Sequence, residues 1–446
     1  MKIIIAGAGE VGTHLAKLLS AENQEILLID MNEERLYNAE SGVEIMTQRG
    51  NPISIKDLEE AGVGNADMFI AVTPEETTNI TASILASNLG AQRTFARINN
   101  YEYMLAKNKV FFEKMGVNTL IYPELLAAKE VRSAMRHPWV RQYWEFFGGT
   151  LLMLGVKVRE NAPIVGKALS DPSYADRKFH VVAIKRNNDT IIPSGHDVIQ
   201  AEDIVFFTCA RSHMDNIREL AGKKPLEVKR AFIMGGSRIA MRVSQFLSDY
   251  NIQVTIFEQD RDRCRELAGL VSNNTLVIHG DARDSELLKS EHIETTQAFI
   301  ALTGNSSTNI LACLAAKRLG VRKTVAQIEN IDYISLSEKF DIGTVINKKL
   351  IAAGHIYQYL LDTDMHNMKC LTIANADVAE IVVREGSQVT KQPVKSLHLP
   401  KDVTLGGLIR QGEPTIISGD TQIMAGDRLV VFCLDTALRK VEKYFS

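Results

Sequence analysis

Short apolar runs alternate with amphipathic stretches through the first 122 residues. Lys2–Ala6, Glu25–Ile29, Val43–Thr47, Met68–Val72 and Thr94–Ile98 read as strands, and Val11–Ala21 and Thr77–Leu89 carry helical spacing between them. Such alternation predicts a parallel sheet with right-handed crossovers, an α/β fold. Beyond Pro123 a helical stretch runs from Glu124 to about Phe147. It holds both tryptophans, Trp139 and Trp144, with Tyr143, Phe146 and Phe147, and Gly148-Gly149 closes it. From Thr150 to about Leu220 strands alternate with turns: Leu151–Val158, Val181–Arg186, Thr190–Ile192 and Ile204–Thr208. Asn187-Asn188-Asp189 is a hairpin signal, and Gly222-Lys223-Lys224-Pro225 reads as a linker.

The whole pattern then returns. Ala231–Met234 repeats the opening strand, and Val254–Phe257 with Glu258 repeats Ile26–Ile29 with Asp30. Thr73, Asn79 and Gly90 recur as Thr303, Asn309 and Gly320, each 230 residues on. In the small units Gly195, Ile199, Ala201 and Asp203 recur as Gly419, Ile423, Ala425 and Asp427, each 224 on. The order is A-B-A′-B′. It divides into residues 1–123, an aromatic-rich linker helix 124–147, a small unit 148–222, a second parallel-sheet unit 228–350 and a second small unit 366–446.

The turn after the first strand carries the chemistry: Gly7-Ala8-Gly9-Glu10-Val11-Gly12. Gly7 permits a tight strand-to-helix turn, Gly9 lets backbone approach a pyrophosphate, and Gly12 lets helix pack on sheet. The helix start offers N–H groups and a positive dipole end to phosphate. Asp30 ends the second strand, where an acid accepts hydrogen bonds from ribose hydroxyls. It would repel a 2′-phosphate by about 1–4 kcal/mol at 4 Å, so NAD or an adenine nucleotide is expected over NADP. Further candidates stand at strand carboxyl ends: Gly50-Asn51, Thr73-Pro74 and Arg97, the last as a phosphate ligand.

In the second copy the corresponding residues are Gly235, Gly236, Ser237, Arg238, Ile239, Glu258, Gly280, Asp281 and Thr303. Ser237 stands where Gly9 stands, Ala240 where Gly12 stands and Gln327 where Arg97 stands, so this copy is weakened. Asn51 in turn lacks the charge of Asp281.

Composition narrows the function. A formal net charge of −3 gives no field that would draw nucleic acid. No apolar run approaches the roughly 18 residues of a membrane span. The chain opens on a strand, so the sequence predicts no export. Five cysteines lie far apart, which suits a reducing cytosol, and ten histidines show no metal spacing. No catalytic constellation is evident. Two nucleotide sites with little else suggest a sensor.

The A-B-A′-B′ order, the glycine turn, Asp30, Asp67–Thr73, Ala96-Arg97-Ile98 and Gly280-Asp281 together resemble the Trk potassium uptake protein A family. These are regulatory subunits of bacterial Trk potassium transporters. The resemblance implies two Rossmann-like KTN or RCK domains, each followed by a small α+β RCK C-terminal domain. It implies NAD(H) binding, with ATP or ADP at the same sites, through Gly7–Val11, Asp30, Thr73-Pro74 and Arg97. The second set would be Gly235–Ile239, Glu258, Thr303 and Gln327. It further implies a homo-oligomeric ring, expected to be a tetramer, on a Trk-type integral membrane potassium channel subunit. The place would be the cytoplasm, peripheral on the inner membrane, with no enzyme activity and no nucleic acid. An NAD-dependent oxidoreductase and a free-standing sensor of soluble partners or DNA are the other readings. The aromatic segment Trp139–Phe147 is a hinge and swap element, a docking surface or core.

Overall fold

The computed structural model of the chain describes residues 1–20, 24–41, 44–174, 178–187, 189–360, 365–371, 376–434 and 444, with backbone alone at 360 and 365–371. Two compact units result, Met1–Ala127 with Lys348–Leu360 and Ala128–Asn347 with Leu361–Ser446.

The first unit is built on a parallel sheet of β1 (Lys2–Ala6), β2 (Glu25–Asp30), β3 (Met46–Arg49), β4 (Met68–Ala71), β5 (Arg93–Arg97) and β6 (Thr119–Ile121), in the order β3-β2-β1-β4-β5-β6. Ile3, Ile4, Ile5 and Ala6 are wholly buried, as a parallel strand covered on both faces requires. The expected third strand begins later than Val43, which lies outside the described residues. The helix Lys348–Tyr357 packs on the helix Glu10–Ser20, and Tyr359 meets Phe95 edge-on at 5.3 Å between ring centroids. A segment far along the chain therefore completes the first unit.

The second unit holds three sheets. The first contains β7 (Gln142–Phe146), β8 (Leu151–Lys157), β9 (Phe179–Arg186), β10 (Asp189–Ile191) and β11 (Ile204–Ala210), antiparallel in the order β10-β9-β11-β8-β7. Arg186 pairs with Asp189 across the expected hairpin, and Asn187 takes φ +56°. Asn188 lies outside the described residues. The second repeats the parallel topology with β12 (Arg230–Met234), β13 (Gln253–Glu258), β14 (Thr275–His279), β15 (Ala298–Ala301), β16 (Lys323–Gln327) and β17 (Thr344–Ile346), ordered β14-β13-β12-β15-β16-β17. The third, ordered β18-β19-β22-β20-β21, comprises β18 (Met365–Leu371), β19 (Ala376–Val382), β20 (Val403–Arg410), β21 (Glu413–Thr415) and β22 (Arg428–Leu434).

One sequence expectation is corrected. The helix beginning at Pro123 ends at Arg136, and the aromatic residues beyond it form β7, paired with β8. His137 precedes Pro138, a position that disfavours helical backbone. The aromatic run then suits a strand. Phe146 and Phe147 are buried, and Trp144 stacks near Phe206 with ring centroids 6.4 Å apart, so this part of the segment is core.

All seven residues of β8 are buried, which a strand with one wet face could not sustain. Leu152, Leu154 and Val156 pack with Val205, Phe207 and Ile217 on one face. Leu151, Met153 and Phe206 on the other pack with Val378, Val430 and Phe432 from the last sheet. The two small sheets thus share one core. Glu380, fully buried in it, accepts the Phe147 N–H at 2.7 Å and holds that residue at φ +50°.

The repeated Asp203 and Asp427 are structural. Asp203 receives both arms of Arg186 at 2.9 and 2.7 Å and the Gln200 N–H at 2.8 Å. Asp427 receives Arg410 at 2.9 and 2.7 Å and the Met424 N–H at 2.8 Å. Each fork ties a strand, β9 or β20, to the loop that leads into its antiparallel partner, β11 or β22.

Phe432→Ala empties the centre of the shared core. Its expected cost is about 3–5 kcal/mol, read as a lowered unfolding midpoint by calorimetry.

Candidate nucleotide-binding sites

In a parallel sheet all strand carboxyl ends meet at one edge, and here the strand order switches sides at β1, with β2 and β3 on one side and β4 to β6 on the other. A crevice forms there. Gly7, at φ +114°, makes the turn out of β1, a conformation that side chains resist. The Ala8 N–H donates to Asp30 Oδ2 at 2.7 Å, and Asp30 Oδ1 accepts from Asn32 at 2.8 Å. The expected ribose acid is therefore also the anchor of the glycine turn. The Gly50 N–H reaches the Asp30 carbonyl at 3.1 Å. A Cβ on Gly7 would touch the Thr73 backbone at 3.0 Å, so the turns after β1 and β4 are in contact.

The three motif glycines separate by what a side chain would meet. At Gly9 a Cβ finds nothing within 4 Å. At Gly12 it would overlap the Gly7 carbonyl oxygen. Gly9 faces open space and Gly12 faces the protein. Val11 and Ile239 point into the core, so only their backbone can meet a ligand.

Asn79, at 0% exposure, was recognised in the sequence only as a repeat marker. Its Oδ1 accepts from the Thr73 N–H at 2.9 Å and from the Thr73 hydroxyl at 2.7 Å. Its Nδ2 donates to the carbonyls of Thr73 at 3.0 Å and Arg97 at 2.9 Å. Asn309 does the same for Thr303 and Gln327 in the second copy. A polar residue recurring at a position of apolar helical spacing was the signal. The Arg97 Nε is buried and, among the described residues, has no hydrogen-bond partner. Glu10, by contrast, turns to Lys349 on the packed helix. Pro74 is exposed, and its carbonyl accepts from Asn99 Nδ2 at 3.4 Å.

The second copy forms a cleft of about 450 Å³. Gly235, Gly236, Ser237, Glu258, Gly280 and Thr303 all line it. Glu258 accepts the Gly236 N–H at 2.5 Å, repeating Asp30 and Ala8. Ser237 turns its hydroxyl to the Ala240 N–H at 3.2 Å and so caps its own helix. Arg238 is exposed. Gln327 does not line the cleft but donates to Glu329 at 2.7 Å. Arg283 lines it instead, and forks onto Asp281, holding that carboxyl below its usual range. Asn51 and Asp281 perform one local task, accepting the N–H two residues on, from Ile53 at 3.1 Å and Arg283 at 2.9 Å. Asn51 thus keeps the acceptor that the turn uses, without the charge.

The TrkA-N domain pattern matches residues 3–123 and 231–348, and the TrkA-C domain pattern residues 153–222 and 378–446. The chain belongs to the TrkA family. Among its relatives, the Trk system potassium uptake protein TrkA of Halomonas elongata is 32% identical over 100% of this chain and 99% of its own length. The homolog from Archaeoglobus fulgidus is 32% identical over 100% of both chains. Among solved structures, the GsuK RCK domain superposes with a TM-score of 0.60 at 16% identity, covering 99% of this chain and 94% of that one. The GsuK channel bound to NAD gives 0.59 at 16% identity, covering 100% and 78%. This TrkA-family chain thus has two Rossmann-like parallel-sheet domains, each followed by a small antiparallel-sheet domain.

Asn79→Ala in this TrkA-family chain strips partners from Thr73 and Arg97. The expected loss is about 1–3 kcal/mol per group left unsatisfied, measurable by denaturant unfolding. Gly9→Val, with room for its side chain, is expected to keep the wild-type melting temperature, as scanning calorimetry would show, while its bulk fills the approach to the glycine turn.

Proposed function

We propose that this chain is the nucleotide-responsive regulatory subunit of a Trk-type potassium transporter. The observation that carries the reading is the first crevice within a chain whose TrkA-family match is full length. There a glycine turn open at Gly9 is anchored on Asp30, beside the buried Arg97 Nε, which has no hydrogen-bond partner among the described residues. NAD(H) or an adenine nucleotide fits these groups. The turn after β1 would take the pyrophosphate, with Arg97 as a further cation. Asp30 would accept from the ribose, and Asn79 positions Thr73 and Arg97 around it. Support also comes from the relatives named as potassium uptake proteins and from the GsuK fold, one structure of which holds NAD.

Among the described residues no helix is long and apolar enough to cross a membrane. Ion conduction then falls to a partner, an integral membrane channel subunit at the cytoplasmic face, with this chain in a homo-oligomeric ring. A ligand shifts gating only through different affinities for two ring states. The first copy is proposed as the tighter site, because Ser237 uses one N–H of the second helix start for its own cap.

Asp30→Ala removes both the ribose acceptor and the charge that repels a 2′-phosphate. The expected result is weaker NADH binding and a fall in the preference for NADH over NADPH, measured as a ratio of dissociation constants. An unchanged ratio would exclude Asp30 from reading the ribose. The regulatory role is tested by linkage. Channel binding should change nucleotide affinity about 5- to 150-fold, the range of typical couplings, and nucleotide should change channel affinity by the same factor. Equal affinities for free and assembled protein, with potassium flux indifferent to nucleotide, would refute the role.

A further inference from the structure

A second cavity, of about 520 Å³, lies in the second unit away from the glycine turn, lined by residues from Pro138 to Gly343. Its walls come from the segment before β7, the linker after the first small sheet, and the helix and strand around Lys317 and Lys323. Seven basic side chains line it, among them Arg141, Arg159, Lys223, Lys317 and Lys323, with Lys224 and Arg322 beside them. The one carboxylate in its lining is Asp341.

Asp341 is overcommitted. Arg141 donates to it, Lys317 lies 3.2 Å from its Oδ2, and Lys157 lies 3.4 Å from its Oδ1. Arg159 stands at 4.0 Å. The aspartate itself sits at φ +53°, in the left-handed region. Nearby Glu202 is taken by Lys157 at 2.6 Å, and Glu338 by Lys185 at 2.6 Å. Lys223 and Lys323 make no ion pair among the described residues. Lys323, buried, donates among the described residues to the Val140 carbonyl and the Thr344 hydroxyl, each at 3.0 Å. Counting Lys157, eight basic side chains stand against two carboxylates, Asp341 and Glu202. Desolvated like charges this close repel strongly, and folding alone gives no return for gathering them.

We propose that this cavity is a binding site for a phosphoanion bearing three or more negative charges, separate from both nucleotide crevices. The volume falls within the range of small-molecule sites, roughly 300–1,000 Å³. Arg141 and Arg159 offer planar forks suited to phosphate, and the lysines act as point charges. The inference stands independently of the nucleotide reading, since it involves none of those residues. The cost of the unbalanced charge in the free protein has a further signature. Burial, with Arg159 and Arg141 close by, pushes the Lys223 ammonium down to about 7. Burial likewise brings Lys317 down to about 8. An arriving polyanion restores their protons, so binding takes up protons from solution at about pH 7.5.

The test is calorimetric titration of the full-length chain with inorganic tripolyphosphate, at about 0.15 M salt to suppress diffuse attraction. Each titration is repeated in two buffers of different ionisation enthalpy. The comparison variant is Arg159→Gln with Lys223→Gln, both partly exposed and neither needed by a neighbour's hydrogen bond. Wild type should bind with proton uptake. The double variant should bind about 30-fold more weakly or worse, with less uptake, while NADH affinity stays unchanged. Lys223→Arg should retain binding. Without ligand, the double variant should melt at or above the wild-type temperature, because repulsion has been relieved; this also verifies that it folds. Wild-type affinity weaker than about 1 mM would overturn the proposal. So would equal affinity in the double variant. Loss of tripolyphosphate binding in Gly9→Val, with none in the double variant, would place the anion in the nucleotide crevice and equally refute the proposal.

Discussion

Each sheet in this chain carries apolar side chains on both faces, and water has to be kept from both. The parallel sheets meet the requirement with helices, in the first unit including one that returns from residue 348. The antiparallel sheets have too few helices of their own. β8 is buried along its whole length, and the face with Leu151, Met153 and Phe206 is covered by Val378, Val430 and Phe432 of the other copy. This is a physical reason for the duplication to be retained. A half-length chain with the same face would have to find its cover in a second molecule.

How much could be read from the sequence follows from what each feature depends on. The glycine turn, the strand-end acids and the 230-residue offset depend on short stretches of backbone, and the structure places Gly7, Asp30 and Thr73 together. The end of the helix after Pro123 is hidden in the sequence because an aromatic run fits a strand and is tolerated in a helix. The decisive signal was His137 before Pro138. The packing of Lys348–Tyr357 on the first unit was not readable, since helical spacing reveals an apolar face but not its partner. Nor was the basic cavity, whose cations are scattered between residues 141 and 323 and converge only after the fold is complete.

The two crevices differ less in framework than their sequences suggest. Glu258 anchors its glycine turn as Asp30 does, and Asn309 repeats every bond of Asn79. What changed is the side chain at the turn. Ser237 fills the space that Gly9 leaves open and binds its own helix. Arg283 lines the second cleft where Gln327 does not, so that copy recovered a cation from a different strand end. Divergence acted on the surface offered to a ligand and left the scaffold beneath it intact.

Asn79 joins the tip of β4 to the tip of β5 through one amide group. Its neighbour Glu76 extends the connection by accepting the N–H groups of Asn99 and Asn100. Two loops that are separate in sequence are therefore tied to a single helix start. To shift Thr73 alone would cost the bonds that Asn79 makes to it, about 0.5–1.5 kcal/mol each. One helix start thereby sets the relative position of two loops that the sequence keeps well apart.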